Sequence, residues 1–264
     1  MNTVNTCANC GHKIEHNFCP NCGQKKYQRI DGKYIKEEIQ YTLLHTNKGF
    51  FYTIKNLLKN PGRTTREYLD GNRVKHYKPL LLAFVLSGIT TFITYKILNL
   101  GQVIEAYLSK NIENQEGAFD ATAFNAFSAN YLSFFMMLLI PLAAFLSYWV
   151  FRKQLHNYYE HIIINSYLYS FWAICTGLVL YPIIYFLKSP EWIVYLTFIS
   201  MPLFIPFVVW FFKELYPNLG WKKATWKVLL MCFLGIIGYF IFSFILGLIY
   251  LAYMVSTQGI NVFS

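Results

Sequence analysis

From Pro79 onward the chain alternates long apolar runs with short polar stretches. Five runs of roughly twenty residues recur, at about 80–100, 131–151, 162–187, 192–212 and 227–253. Roughly twenty residues at 1.5 Å per residue is what a helix needs to cross a hydrocarbon core about 30 Å thick. Backbone amides find no water inside lipid, so each run is expected to be a helix. The third and fourth runs are joined by the short turn "KSPE". A re-entrant hairpin there is the alternative to two full crossings.

The polar positions ahead of these runs follow a different period. In "YIKEEIQYTLLHTNKGFFYTIKNLLKNPG", Ile35, Ile39, Leu43, Phe50, Ile54 and Leu57 or Leu58 recur at three, four or seven residues, the spacing of one helical face. An amphipathic helix is expected, capped by Asp31, broken at Gly49 and ended by Pro61 and Gly62, since proline cannot continue a helix. A second short helix is expected from Thr64 or Thr65, with Glu67 in a capping arrangement, stopping near Gly71. Pro79 suits the first turn of the first span. The divisions are thus residues 1–26, 27–78 as a basic connector, and 79–264 as a membrane domain of five helices.

Composition strengthens the membrane reading, with 55% hydrophobic, 19% aromatic and only 14% charged residues, far from the balance of a soluble domain. Charge then supplies an orientation. Of the net +10, residues 1–79 carry +8 and the rest +2. The loop at about 101–130 has Lys110 against Glu105, Glu113, Glu116 and Asp120, whereas "RKQLHNYYEH" and "KELYPNLGWKKATWK" are basic. Basic loops stay on the cytosolic side. The first thirty residues hold no apolar run of signal-peptide kind, so a cytosolic N-terminus and an outside C-terminus are expected.

Within the connector, Lys48, Lys55, Lys59, Arg63, Arg66, Arg73, Lys75 and Lys78 face only Glu67 and Asp70. Each base near an anionic leaflet contributes about 1 kcal/mol, so these bases with Phe50, Phe51 and Leu57 are expected to lie along the inner leaflet, on anionic lipid. Packing of that face against the chain's own spans is the alternative; nucleic acid is a distant third.

Four of the six cysteines, Cys7, Cys10, Cys19 and Cys22, fall in two CxxC pairs, each followed by a glycine that readily takes positive φ. Cytosolic thiols stay reduced, and two knuckles of this kind supply the four soft ligands of a tetrahedral zinc ion. Four thiolates leave no open position for water, so one structural zinc is expected rather than a catalytic one. A dithiol redox pair and an iron site are the alternatives. Cys175 and Cys232 fall inside spans and read as packing residues.

The order "CxxCG…FCPNCGQ", then "FFYTIKNLLKNPGRTTREYLDGNRVKHYKP", then several spans resembles an uncharacterised bacterial family of zinc-ribbon membrane proteins, a domain of unknown function. The resemblance covers nearly the whole chain and implies zinc binding, a multi-span fold and a bacterial inner membrane; it implies no activity. The span order alone is similar to Yip1-type membrane-trafficking proteins.

Inside the spans no carboxylate occurs, which argues against a carboxylate proton relay. Thr90 and Thr94 on the first span and Asn165, Ser166 and Ser170 on the third are the candidate polar site, with interhelical hydrogen bonds as the plainer reading. Pro202 and Pro206 should kink the fourth span. His156, Glu160 and His161 are the catalytic candidates, His156 and Glu160 sharing a helical face; no protease, P-loop or dinucleotide motif is present. The chain therefore reads as an all-α integral membrane bundle with a small N-terminal zinc ribbon, a non-enzymatic scaffold or dock for a cytosolic protein. A transporter for a small or lipidic solute comes second and a lipid-acting enzyme third.

Overall fold

The computed structural model describes residues 6–26, 30–35, 49–103, 137–187 and 189–258, with the side chains of all but 190, 239 and 241–258. Lys48, residues 36–47 of the connector, residues 104–136, on which most of the expected outside loop and the start of the second run fall, and residues 259–264 lie outside the described residues. Among those described, the secondary structure is helical apart from two isolated antiparallel bridges, Thr6↔Lys13 and Phe18↔Lys25.

The connector ends in a tight pair of helices, α1 (Phe50–Lys59) and α2 (Pro61–Leu69). Asn60 makes the turn. Its Oδ1 accepts from the Arg63 amide at 2.9 Å, and Pro61, with no amide hydrogen to lose and φ already helical, stands at the first position of α2. The expected start at Thr64 or Thr65 is therefore corrected to Pro61, because the Asn-Pro pair supplies both cap and first residue. Asp31 caps as expected, its Oδ1 accepting from the Tyr34 amide at 2.8 Å.

Pro79 opens α3 (Pro79–Phe92), which runs on through a π-helical turn at Ile93–Ile97. Then follow α4 (residues 137–151), α5 (Tyr158–Cys175), a second π-helical turn at Thr176–Leu180, α6 (Tyr181–Phe186), α7 (Pro190–Leu203), α8 (Ile205–Leu215) and α9 (Trp221–Gln258). Phe204 alone separates α7 from α8. The expected proline kink lies there, with Pro202 closing one helix and Pro206 opening the next.

Among the described residues, three stretches are long and apolar enough to cross a membrane: Pro79–Ile97, Tyr158–Phe186 and Glu191–Leu215. Only 22%, 39% and 17% of their most apolar windows are buried within the chain, so most of these apolar side chains face outward. Phe92, Phe186, Phe198 and Leu203 are among them. Surface of this kind needs lipid as its solvent, which makes this a membrane protein. The runs at 131–151 and 227–253 are represented by α4, described from residue 137, and by the single 38-residue helix α9.

α3 packs along α5, and α8 packs against both α2 and α9. The main core sits at the end nearest the connector, where Leu57, Tyr68, Phe151, Tyr167, Phe211 and Phe212 are fully buried. Phe151 and Phe212 stack there with centroids 4.3 Å apart. A smaller cluster of Leu100, Ile184 and Ile193 ties the far ends of three helical stretches. Gly62 sets the distance between α2 and α8: a Cβ on it would lie 2.1 Å from the Phe211 carbonyl oxygen and 2.6 Å from the Leu215 nitrogen. Replacing Gly62 by alanine must force the two backbones apart, at a cost of about 1–3 kcal/mol. The detergent-solubilised Gly62→Ala protein is therefore expected to melt several degrees below the parent, whereas Gly88→Ala, whose Cβ meets nothing within 4 Å, should not.

Candidate metal centre and its anchorage

The two knuckles are built alike. In the first, the Cys7 amide donates to the His12 carbonyl at 2.8 Å and the Gly11 amide to the Cys7 carbonyl at 2.8 Å. In the second, the Cys19 amide donates to the Gln24 carbonyl at 2.7 Å and the Gly23 amide to the Cys19 carbonyl at 2.9 Å. Gly11 and Gly23 hold φ of 73° and 72°, left-handed values that glycine alone takes without strain. Each turn thereby points two thiols to the same side.

All four Sγ atoms lie within 4.8 Å of one another, with Cys7 and Cys22 at 3.5 Å and Cys10 and Cys19 at 3.6 Å. Sulfurs about 2.3 Å from a common tetrahedral ion stand ~3.8 Å apart, close to this spacing, whereas a disulfide would bring a pair to about 2.05 Å. The four cysteines are free and can hold a metal ion. Burial pushes the Cys7 thiol up to about 11, while a hydrogen bond with the Asn9 side chain holds Cys22 down at about 6. An amide aimed at a ligand sulfur is the usual support of a thiolate site. The ribbon's own core is small, with Cys7, Ile14 and Cys19 as its buried apolar residues.

The ribbon is fastened to the helices behind it. Gln24, almost fully buried, donates through Nε2 to the Gly71 carbonyl in the turn that follows α2. Ile30 is buried in the main core, and its carbonyl accepts from Asn157 Nδ2 at 2.7 Å. Tyr34 and Tyr68 share a hydrogen bond of 3.0 Å, and the Arg73 guanidinium lies 4.6 Å from the centroid of the Tyr34 ring.

The connector residues divide between the chain and the outside. Leu57, expected at the acyl boundary, is instead fully buried in the main core. Phe50 is half-buried, edge-on to Tyr77 at 5.3 Å. Arg66 donates to the Glu214 carbonyl at 3.1 Å, Arg73 to the Tyr68 carbonyl at 3.3 Å, and Arg63 pairs with Glu67 at 3.0 Å. Phe51, Lys55, Lys59, Arg63 and Lys75 are exposed, and Lys78 is half-buried just ahead of α3. His76 is enclosed by Tyr52 and Tyr68, its nearest acid the Glu67 carboxylate at 3.8 Å; burial lowers its pKa.

The polar residues of the spans turn mostly inward on their own helices. Thr90 donates to the Ser87 carbonyl, Ser166 to that of Ile162 and Ser170 to that of Ser166. Thr94 instead meets the Tyr181 hydroxyl at 3.0 Å, joining the π-helical turn of α3 to the start of α6. Asn165 donates to Ser147 Oγ at 2.7 Å and to the His161 carbonyl at 2.8 Å, and Ser147 Oγ lies 2.9 Å from His161 Nδ1. His156 and Glu160 do come together, at 3.2 Å. Glu160, however, closes a capping box, its carboxylate accepting from the Asn157 amide at 2.8 Å while Asn157 Oδ1 accepts from the Glu160 amide at 2.9 Å. Ser147, Gln24 and Glu214 escape sequence reasoning, as does the bond from Asn60 to Glu214: these partners lie 14 to 154 residues apart, with no local period to betray them.

One family model, described as Protein of unknown function (DUF3667), matches residues 47–91. That stretch holds α1, α2, the turn with Gly71 and His76, and nearly all of α3, and it leaves the ribbon outside. No curated protein and no solved structure matches the chain. The likeness to Yip1-type proteins thus has nothing beyond span order behind it. For the thiol cluster, elemental analysis of the purified protein should find about one metal ion per chain, and none in a Cys19→Ser/Cys22→Ser variant, because two remaining thiols cannot close a tetrahedron.

Proposed function

We propose that the chain is a five-crossing protein of the bacterial inner membrane, with a cytosolic zinc-held head, and that it works by contact rather than catalysis, as a scaffold or a dock for a cytosolic partner. One observation carries this reading: a closed set of four thiols sits in a ribbon that is itself clamped to the helices through Gln24 and Ile30. Zinc suits four soft thiolates in tetrahedral array, and a full coordination sphere leaves no place for a reacting water. The outward face of the helical pair, with Phe51, Lys55, Lys59 and Arg63, suits an anionic inner leaflet. The exposed face of the ribbon is left for a protein.

Catalysis draws less support. Glu160 is engaged at the start of α5, and His156 bonds to that same carboxylate. Transport rests on the break between α7 and α8 and on the Thr94–Tyr181 link between the π-helical segments. Against it, Thr90, Ser166 and Ser170 spend their protons on backbone carbonyls of their own helices, and no line of free hydroxyls follows from them.

Phe18, 58% exposed on the ribbon, is a position from which a partner can be caught. With a photoreactive residue at position 18 of the full-length protein in cells, irradiation is expected to give a discrete adduct with another protein, lost in the Cys19→Ser/Cys22→Ser background. Adducts confined to lipid or to this chain, or indifferent to loss of the thiols, would contradict the docking role.

A further inference from the structure

α4, α5 and the junction of α7 with α8 do not close completely on one another. Leu139 and Ala143 of α4, Leu168 and Trp172 of α5, and Phe204 at the junction line a cavity of about 250 Å³. Asn165 reaches its wall too, but its amide donors are committed to Ser147 and to the His161 carbonyl. The cavity is a groove open on its outer side, with an almost wholly apolar lining. In a protein set in a bilayer, hydrocarbon is what can fill it.

The lining positions 139 and 143 continue along one stripe of α4 to Ser147 and, a turn further, to Val150. From Ala143 to the end of α4 is eight residues, about 12 Å, less than half of a hydrocarbon core about 30 Å thick. Leu139, twelve residues or about 18 Å from that end, reaches the middle of such a core, so the cavity runs from near the midplane toward the ribbon end. At that end Lys227 of α9 donates to the Val150 carbonyl and stands 5.0 Å from the centroid of the Phe151 ring. Arg152 and Lys153 follow at once, both exposed, and all three cations lie within electrostatic range of one another. Like charges held together repel, and no ion pair among the described residues relieves Arg152, Lys153 or Lys227.

We propose that these features form one binding site for an anionic phospholipid: Arg152, Lys153 and Lys227 hold its phosphate, and one acyl chain lies in the cavity beside Trp172. Three cations at headgroup level above an apolar slot match the two halves of such a molecule and no other component of a bilayer so well. The site is separate from the outward face of α1 and α2. It rests on the membrane reading and not on which side is cytosolic, so it can fail while the docking role stands.

Trp172 reports on the site directly. The full-length protein is placed in nanodiscs of zwitterionic lipid doped with phosphatidylglycerol or phosphatidylcholine brominated on one chain, and quenching of Trp172 is isolated by difference from a Trp172→Phe variant. Brominated phosphatidylglycerol is expected to quench at a mole fraction at least about tenfold lower than brominated phosphatidylcholine, each cation near the headgroup contributing about fivefold. Arg152→Gln/Lys153→Gln, at exposed positions that leave the fold alone, should erase most of that preference, and Ala143→Phe should remove the quenching by filling the slot. Equal quenching by the two lipids, which is annular contact only, would overturn the site, as would a preference unchanged in the double variant.

Discussion

At Gly62 the backbone of α2 lies directly on the backbone of α8, with room for a hydrogen atom and not for a methyl group. The rest of the ribbon end depends on that approach. It brings Asn60 Nδ2 within 3.1 Å of the Glu214 carboxylate and the Arg66 guanidinium within 3.1 Å of the Glu214 carbonyl. It also seats Tyr68 edge-on against Tyr167, 5.5 Å between centroids. The turn after α2 is then fixed where the Gly71 carbonyl can receive Gln24. A ribbon with so small a core of its own gains its position from the turn after α2, which α8 in turn holds in place.

This arrangement gives the metal centre a mechanical meaning. A small four-thiolate site supplies most of the folding free energy of the segment around it, since two short turns bury too little to fold alone. If a metal holds the knuckles, its removal frees the segment that carries Gln24, and the Gly71 carbonyl loses its fixed donor. On the proposed reading, metal occupancy is coupled to the turn after α2 through the Gln24–Gly71 bond, without any need for chemistry at the metal.

Several parts of this were legible in the sequence for physical reasons. Lipid dictates span length, so twenty-residue apolar runs announced helices, and α3, the stretch through α5 and α6, and the α7–α8 pair appear where such runs lie. Thiolate coordination dictates ligand spacing, so the two knuckles announced their cluster. What the period of α1 did not disclose was the identity of the surface it meets: Leu57 reads equally well as lipid-facing or protein-facing, because lipid tails and buried side chains are alike apolar. Likewise, the spacing of His156 and Glu160 showed that they share a face, while the capping box that occupies Glu160 required knowing that Asn157 begins the helix. Gln24 and Ser147, whose partners lie 47 and 14 residues away, carry no local signal at all.

Amide hydrogen exchange of the full-length protein, before and after a chelator strips the metal, tests most directly whether ribbon and helices form one unit. A docked ribbon predicts that metal removal speeds exchange in residues 6–26 and also in 30–35 and in the turn at 69–76, while α5 and α8 keep their protection. Faster exchange confined to residues 6–26, with the turn around Gly71 unmoved, would contradict it.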